Sequence, residues 1–257
     1  MTEKRNTERP TLEKDPMRSR GPRMTPREPA EPVPSDYDEN PGRLRLARSV
    51  LRRHAAVGDV HEPVARRFVA EDLTQVLDVG CGEGELARHL PDGAWVGLDN
   101  SRTMLDRAPA GGVLGEATAI PFPDGSFDGV AILYVLYHLS DPRLALAEAH
   151  RVMRAGGLIA VAAPSRHDSP ELAHALPDTS LTFDAELAPD LLREQFEEPE
   201  VERWDAPLLE LPTARAVRDY LVGKQVAPDR AQAVAAETEL PLSVTKRGAL
   251  LFARKRS

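Results

Sequence analysis

The sequence predicts an α/β fold, a mostly parallel β-sheet with helices on both faces. Two observations carry this. Short apolar, β-branched runs alternate with helix-forming segments through the middle of the chain, and such βα alternation closes into a parallel sheet. The first of those runs, Gln75-Val76-Leu77-Asp78-Val79, holds an acid near its end and feeds glycines at alternate positions, Gly80, Gly82 and Gly84. Ligands of open α/β sheets bind beyond the carboxyl ends of the strands, where a glycine turn lets backbone approach closely.

Taken in chain order, residues 1–35 differ from the rest: seven prolines and dense mixed charge leave little apolar to bury, which reads as a disordered tail. Met17 and Met24 leave room for a later translational start. A helix is expected from Asn40, with Asn40 as its cap and Pro41 in its first turn. Leu44, Ala47, Val50, Leu51 and His54 share one of its faces. A second helix places Val60, Val64 and Phe68 four apart. Because both precede the first core strand, they belong on the sheet rather than within it. Strands are expected at Gln75–Val79, Trp95–Leu98, Val113–Glu116, Phe127–Leu133 and Leu158–Ala163, with helices between them at Glu85–Leu90, Ser101–Ala108 and Pro142–Met153. The last of these helices has Asp141 as cap and Gly156 just past its end. After Pro164 the pattern weakens. A polar stretch leads to a helix at Glu186–Phe196, a strand near Val201–Trp204, helices at Thr213–Val222 and Pro228–Glu237, and a closing strand at Ala249–Arg254.

The formal charge of −8 divides into about +2 on the tail and −10 on the body, 36–257. That argues against a surface that tracks nucleic acid. The one cysteine, Cys81, excludes an internal disulfide and a cysteine-based zinc site. No apolar run reaches the roughly 18 residues of a membrane span, and no export segment is visible, so a cytoplasmic location is expected.

The glycine spacing selects the ligand. A dinucleotide turn needs G-x-G-x-x-G, and Glu85 stands where its third glycine should fall. The motif here is D-x-G-x-G-x-G, whose acid suits an amine-bearing ligand and repels a pyrophosphate. That favours a nucleoside with an amino-acid tail, S-adenosylmethionine (SAM). Downstream, Val96-Gly97-Leu98-Asp99 ends the second strand in an acid 15 residues past Gly84, placed to accept ribose hydroxyls. Gly115-Glu116-Ala117, then Ile120-Pro121-Phe122-Pro123-Asp124-Gly125-Ser126-Phe127-Asp128, and then Arg151-Val152-Met153-Arg154-Ala155-Gly156-Gly157 follow in order.

In this order and spacing the set resembles the class I SAM-dependent methyltransferases, within the small-molecule group that includes the ubiquinone and menaquinone biosynthesis enzymes. The resemblance covers roughly Leu73 to Ala163 plus the closing strand. It implies a Rossmann-like, seven-stranded, mostly parallel sheet whose last strand is antiparallel, SAM as cofactor, and a small-molecule acceptor. It implies Asp78, Gly80 and Gly82 around the methionine portion, with Cys81 in the same turn. Asp99 would hold the ribose, with Asn100 and Ser101 flanking the adenine. Glu116 stands where the family usually has Asp and would meet the adenine amino group beside the Ala117 amide. Leu133 and Tyr134 would lie near the sulfonium. The same resemblance divides the body into N-terminal helices (36–72), a SAM-binding core (73–163), a substrate lid with later sheet elements (164–240) and a last strand (249–254).

Methyl transfer asks the protein for alignment, a water-poor pocket and, for hydroxyl or acidic carbon acceptors, a base. His138, just beyond the fourth strand, is the candidate base; a packing or capping histidine is the competing reading. Tyr134 and Tyr137 are candidate substrate-shaping rings, and Tyr37-Asp38 is a candidate segment folding back over the cofactor. The Asn/Asp-Pro-Pro-aromatic motif used for amino groups on bases is absent after the fourth strand, and Cys81 belongs to the cofactor turn, which argues down nucleic acid. Three alternatives remain: a catalytically inactive SAM sensor, a protein or nucleic-acid methyltransferase, and a nicotinamide-dependent reductase, the last disfavoured by Glu85 and by the expected absence of a Tyr-x-x-x-Lys pair.

Overall fold

The computed structural model describes residues 33, 38–56, 59–177 and 181–256. The expected tail, apart from Val33, and Tyr37 lie outside the described residues. The described chain forms β1 (Val76–Val79), β2 (Trp95–Asp99), β3 (Gly112–Leu114), β4 (Phe127–Leu133), β5 (Met153–Pro164), β6 (Glu200–Leu211) and β7 (Leu242–Arg254), joined in one sheet in the order β3-β2-β1-β4-β5-β7-β6. β1 to β5 pair in parallel, while β7 runs antiparallel to both β5 and β6. The expected seven-stranded sheet with its antiparallel last strand is therefore present. β1 is buried at every position, and β5 is buried from Leu158 to Ala163, as parallel strands covered on both faces must be.

The helices are α1 (Pro41–His54), α2 (His61–Ala70), α3 (Arg102–Leu105), α4 (Pro142–Val152), α5 (Ala188–Arg193), α6 (Ala214–Gly223) and α7 (Pro228–Glu237). α4 and α5 bury Leu146, Ala149, Val152 and Leu192 with Val130, Ile132, Ile159 and Val161 on one side of the sheet. α2 covers the other side, setting Val64, Ala65 and Phe68 against Val76, Leu158, Ala160 and Phe252. α1 packs elsewhere. Its Val50 joins Val217, Tyr220 and Leu221 of α6, Ala231 and Ala235 of α7, and Leu209, Leu211 and Val244 at the far ends of β6 and β7. Leu51, which spacing grouped with the packed face of α1, is 38 % exposed.

Several elements differ from expectation for identifiable reasons. Glu85–Leu90 shrinks to a single 3₁₀ turn, Leu86–His89, because Pro91 drives Leu90 into extended backbone. Ser101–Ala108 shortens to α3, capped by the Ser101 hydroxyl, which accepts from the Met104 amide at 3.2 Å. β3 ends at Leu114, leaving Glu116 beyond the strand. Asp141 caps α4 as expected, but the Asn40 side chain makes no cap bond on α1. β6 and β7 form a ladder longer than either predicted strand. Pro207 lies where its register shifts, which an edge strand tolerates because its outer N–H groups need no partner.

Phe68 is fully buried between α2 and the sheet. Phe68→Ala is expected to cost about 3–5 kcal/mol in a urea titration. A loss below about 1 kcal/mol would mean that α2 is not seated on β1 as described.

Candidate active site

The carboxyl ends of β1 and β4 meet where the chain reverses its order across the sheet, the position at which open α/β sheets take ligands. The glycine turn leaves β1 here. Gly80, Gly82 and Gly84 have φ of 70°, 55° and 73°, the left-handed region that side chains avoid. A Cβ on Gly80 would stand 2.3 Å from Val135 Cγ2, so the turn and the chain leaving β4 touch at a point where no other residue fits.

Two carboxylates flank the turn. Asp78 is buried and accepts the Trp95 indole N–H at 3.1 Å. Burial pushes its carboxyl up to about 6, against the pull of His61 and of the Trp95 bond. Asp99, also buried, accepts the Gly82 amide on Oδ2 at 2.8 Å and the Ser101 amide on Oδ1 at 2.9 Å. Burial raises it as well, while those two bonds act the other way. Cys81 is buried beside both acids, and burial followed by their charges holds its thiol far above the usual range, so it remains a neutral packing group.

At the other end of the crevice, Asn100 donates to Glu116 Oε2 at 3.4 Å, which brings together two expected adenine contacts on the exposed rim. Ala117 is half-buried beside them, and Leu133 is buried at the end of β4. Asp38 Oδ1 accepts the Ser101 hydroxyl at 2.5 Å, so the described end of the expected fold-back segment reaches α3. Tyr134 follows β4 with φ 61°, a left-handed non-glycine residue of the kind that clusters at functional sites. Burial raises its phenol, and the Asp59 and Asp168 carboxylates add to the effect. Tyr137 and His138 are half-buried with ring centroids 4.4 Å apart. His138 Nδ1 lies 2.8 Å from the Val33 carbonyl oxygen, a contact in which Nδ1 carries a proton and donates it.

Sequence reasoning missed three groups. Arg48 projects from α1 over the turn, with Nη2 3.4 Å from the place of a Gly82 Cβ and Nη1 3.7 Å from Glu83 Oε2, and its charge draws Asp78 and Asp99 downward. His61 Nδ1 lies 2.6 Å from Asp59 Oδ1 at the start of α2. Tyr220 and Lys224, at the C-terminal end of α6, form a Tyr-x-x-x-Lys pair, which corrects the expected absence of one. Arg48 and His61 had no local signal, because a distant helix brings them to the turn. Among the described residues no group of three His, Cys, Asp or Glu could hold a metal, and no helix is long and apolar enough to cross a membrane.

Residues 77–161 match the family described as "Methyltransferase domain". A malonyl-[acyl-carrier protein] O-methyltransferase of Dechloromonas aromatica is 36 % identical over 54 % of this chain and 57 % of its own length. A demethylmenaquinone methyltransferase of Roseiflexus castenholzii is 32 % identical over 54 % of this chain and 60 % of its own. The chain thus spans little more than half of these relatives. The crystal structure of the [4+2]-cyclase SpnF superposes with a TM-score of 0.61 at 21 % identity, over 88 % of this chain and 99 % of that one, which establishes the fold. Residues 77–161 are thus similar to a methyltransferase domain set in the fold of these neighbours, and that similarity points to S-adenosylmethionine as the cofactor. The same similarity argues against the reductase reading.

An acid whose pKa is higher in the fold than in the open chain keeps a proton that the open chain has released, so stability falls as pH rises from about 4 through 6. Asp78→Asn removes that loss. In urea titrations it is expected to stabilise the cofactor-free protein by about 2 kcal/mol at about pH 8 and by nothing near pH 4. An equal effect at both pH values would show that burial does not set the Asp78 carboxyl.

Proposed function

We propose that this protein transfers the methyl group of S-adenosylmethionine to a small-molecule acceptor held beyond the carboxyl ends of β4 and β5. The observation that carries the reading is the turn itself: three left-handed glycines running between two buried carboxylates. The residues fit the cofactor. Asp78 offers a carboxylate to its ammonium, Gly80, Cys81 and Gly82 give close backbone approach, and Arg48 brings a positive charge to the same end for its carboxylate. Asp99 has remaining lone pairs for the ribose hydroxyls, while Asn100, Glu116 and the Ala117 amide border the adenine. Bound there, the cofactor supplies an electrophilic methyl group on a sulfonium sulfur.

The protein's own part is alignment, exclusion of water and removal of a proton. Leu133 and Tyr134 form the wall between cofactor and acceptor. Tyr137 shapes the acceptor side beside His138, the base that takes the proton from an acceptor hydroxyl or acidic carbon. Segments 36–72 and 164–240 enclose the acceptor around the core of 73–163. The named relatives are methyltransferases of malonyl-[acyl-carrier protein] and of demethylmenaquinone, which supports an organic acceptor here.

Calorimetry with SAM and its demethylated product, followed by an acceptor screen, tests the proposal. Saturable binding of both with turnover on some acceptor is expected. Binding without turnover across the screen would favour a SAM sensor, and absence of binding would sink the reading. For the base, His138→Ala is expected to keep SAM affinity and lower turnover at least about tenfold; unchanged turnover would remove His138 from the chemistry.

A further inference from the structure

Beyond β5 the chain turns into a compact polar cluster that the cofactor site does not use. Asp168 accepts Lys246 Nζ and, at 3.2 Å, Lys224 Nζ on one carboxylate oxygen, and the Arg247 amide at 2.9 Å on the other. Lys246 Nζ also donates to Tyr220 Oη at 2.8 Å and to Ser169 Oγ at 3.1 Å, which occupies its three protons. Tyr220 Oη and Ser169 Oγ are 2.6 Å apart, and Ser169 takes a left-handed φ of 57° to reach them.

One ammonium is enough to neutralise Asp168, and Lys246 already does so at close range. Lys224 is surplus. Among the described residues Asp168 is its one hydrogen-bond acceptor, and its side chain remains 39 % exposed while Asp168 is 9 % exposed. Within the cluster two ammonium groups share one carboxylate, with two Lys224 protons still available to a ligand.

The location puts that charge on the acceptor side. Asp168 and Ser169 follow β5, next to the end of β4, where the Tyr134 amide donates to Ala162 O at 2.9 Å. Lys224 caps α6, whose last residue, Gly223, packs on Ala47 of α1, one residue before Arg48 of the cofactor turn. Burial works to raise the Asp168 carboxyl, but Lys224 and Lys246 overcome it and hold it at about 2. Burial likewise opposes the Lys224 charge, and Tyr220, Asp168 and Tyr137 more than restore it. The ammonium is a fixed charge.

Resting on the methyltransferase reading, we propose that Lys224 anchors a carboxylate or similarly compact oxyanion on the methyl acceptor, so that the acceptor is an acidic small molecule. The charge selects acids over neutral analogues and holds the rest of the acceptor against Tyr134 and Tyr137.

The test is calorimetry on the full chain loaded with the demethylated cofactor, titrated with matched pairs: 4-hydroxybenzoate against 4-hydroxybenzamide, and hexanoate against hexanamide. Each acid is expected to bind at least about tenfold more tightly than its amide. Lys224→Gln is expected to abolish that preference, and Lys224→Arg to keep it, with cofactor affinity in both variants within about twofold of the parent as the check on folding. Acids that bind no better than amides, or not at all, overturn the proposal, as does a preference that survives Lys224→Gln. If the parent chain fails to bind the cofactor, the methyltransferase reading falls by itself, and the same acid–amide comparison on the free chain still decides the anion site.

Discussion

The cofactor end of the molecule depends on how the glycine turn closes against the end of β2. The Gly80 and Cys81 amides both donate to Leu98 O, at 2.7 and 3.1 Å, and the Gly82 amide donates to the Asp99 carboxylate. Three consecutive amides can point to one side only because Gly80 and Gly82 are left-handed. Asp99 then does two structural jobs, since its other oxygen receives the Ser101 amide and sets the start of α3. Its position is fixed before any ribose arrives, and a fixed acceptor needs little reorganisation on binding.

That closure has an electrostatic consequence. Asp78 and Asp99 are buried within reach of one another, and burial works against the charge of each. The opposing groups come from outside the core: the Arg48 guanidinium from α1, and the His61 ring from the start of α2, which itself rests on Asp59. The helices before β1 therefore supply charge as well as cover. A zwitterionic amino-acid tail is the complement of such a site, with an acid beneath it and a guanidinium above.

Much of this was legible in the sequence. The D-x-G-x-G-x-G run, Asp99 and the strands β1, β2, β4 and β5 follow from local patterns, because a buried parallel strand is apolar throughout and a left-handed turn needs glycine. What was not legible depends on partners distant in sequence. Trp95 reads as a strand residue, yet its indole lies across Gly97, where a Cβ would stand 2.5 Å from the ring, and reaches Asp78. β6 looked finished at Trp204 because Asp205-Ala206-Pro207 breaks the alternation, whereas the ladder with β7 continues past the bulge. The Asp168 cluster joins the end of β5, α6 and β7, and none of its residues carries a signal alone.

Tyr134 ties the two halves of the site together. A left-handed non-glycine residue is strained by about 1–3 kcal/mol, and the bond from its amide to Ala162 O holds it in place against β5. Reversing φ at this one residue separates the side chains on either side of it. Val135 is sent into the space that Gly80 leaves empty, while Tyr134 stays half-buried, its phenol raised by burial and by the Asp59 and Asp168 carboxylates. The same turn thus packs on the glycine loop through Val135 and borders the proposed acceptor side through Tyr134. Neither half can shift without moving the other, because Val135 in the Gly80 notch leaves no slack between them. The proposed in-line transfer draws on that rigidity, since sulfur, methyl and acceptor must lie on one axis and small misplacements are costly.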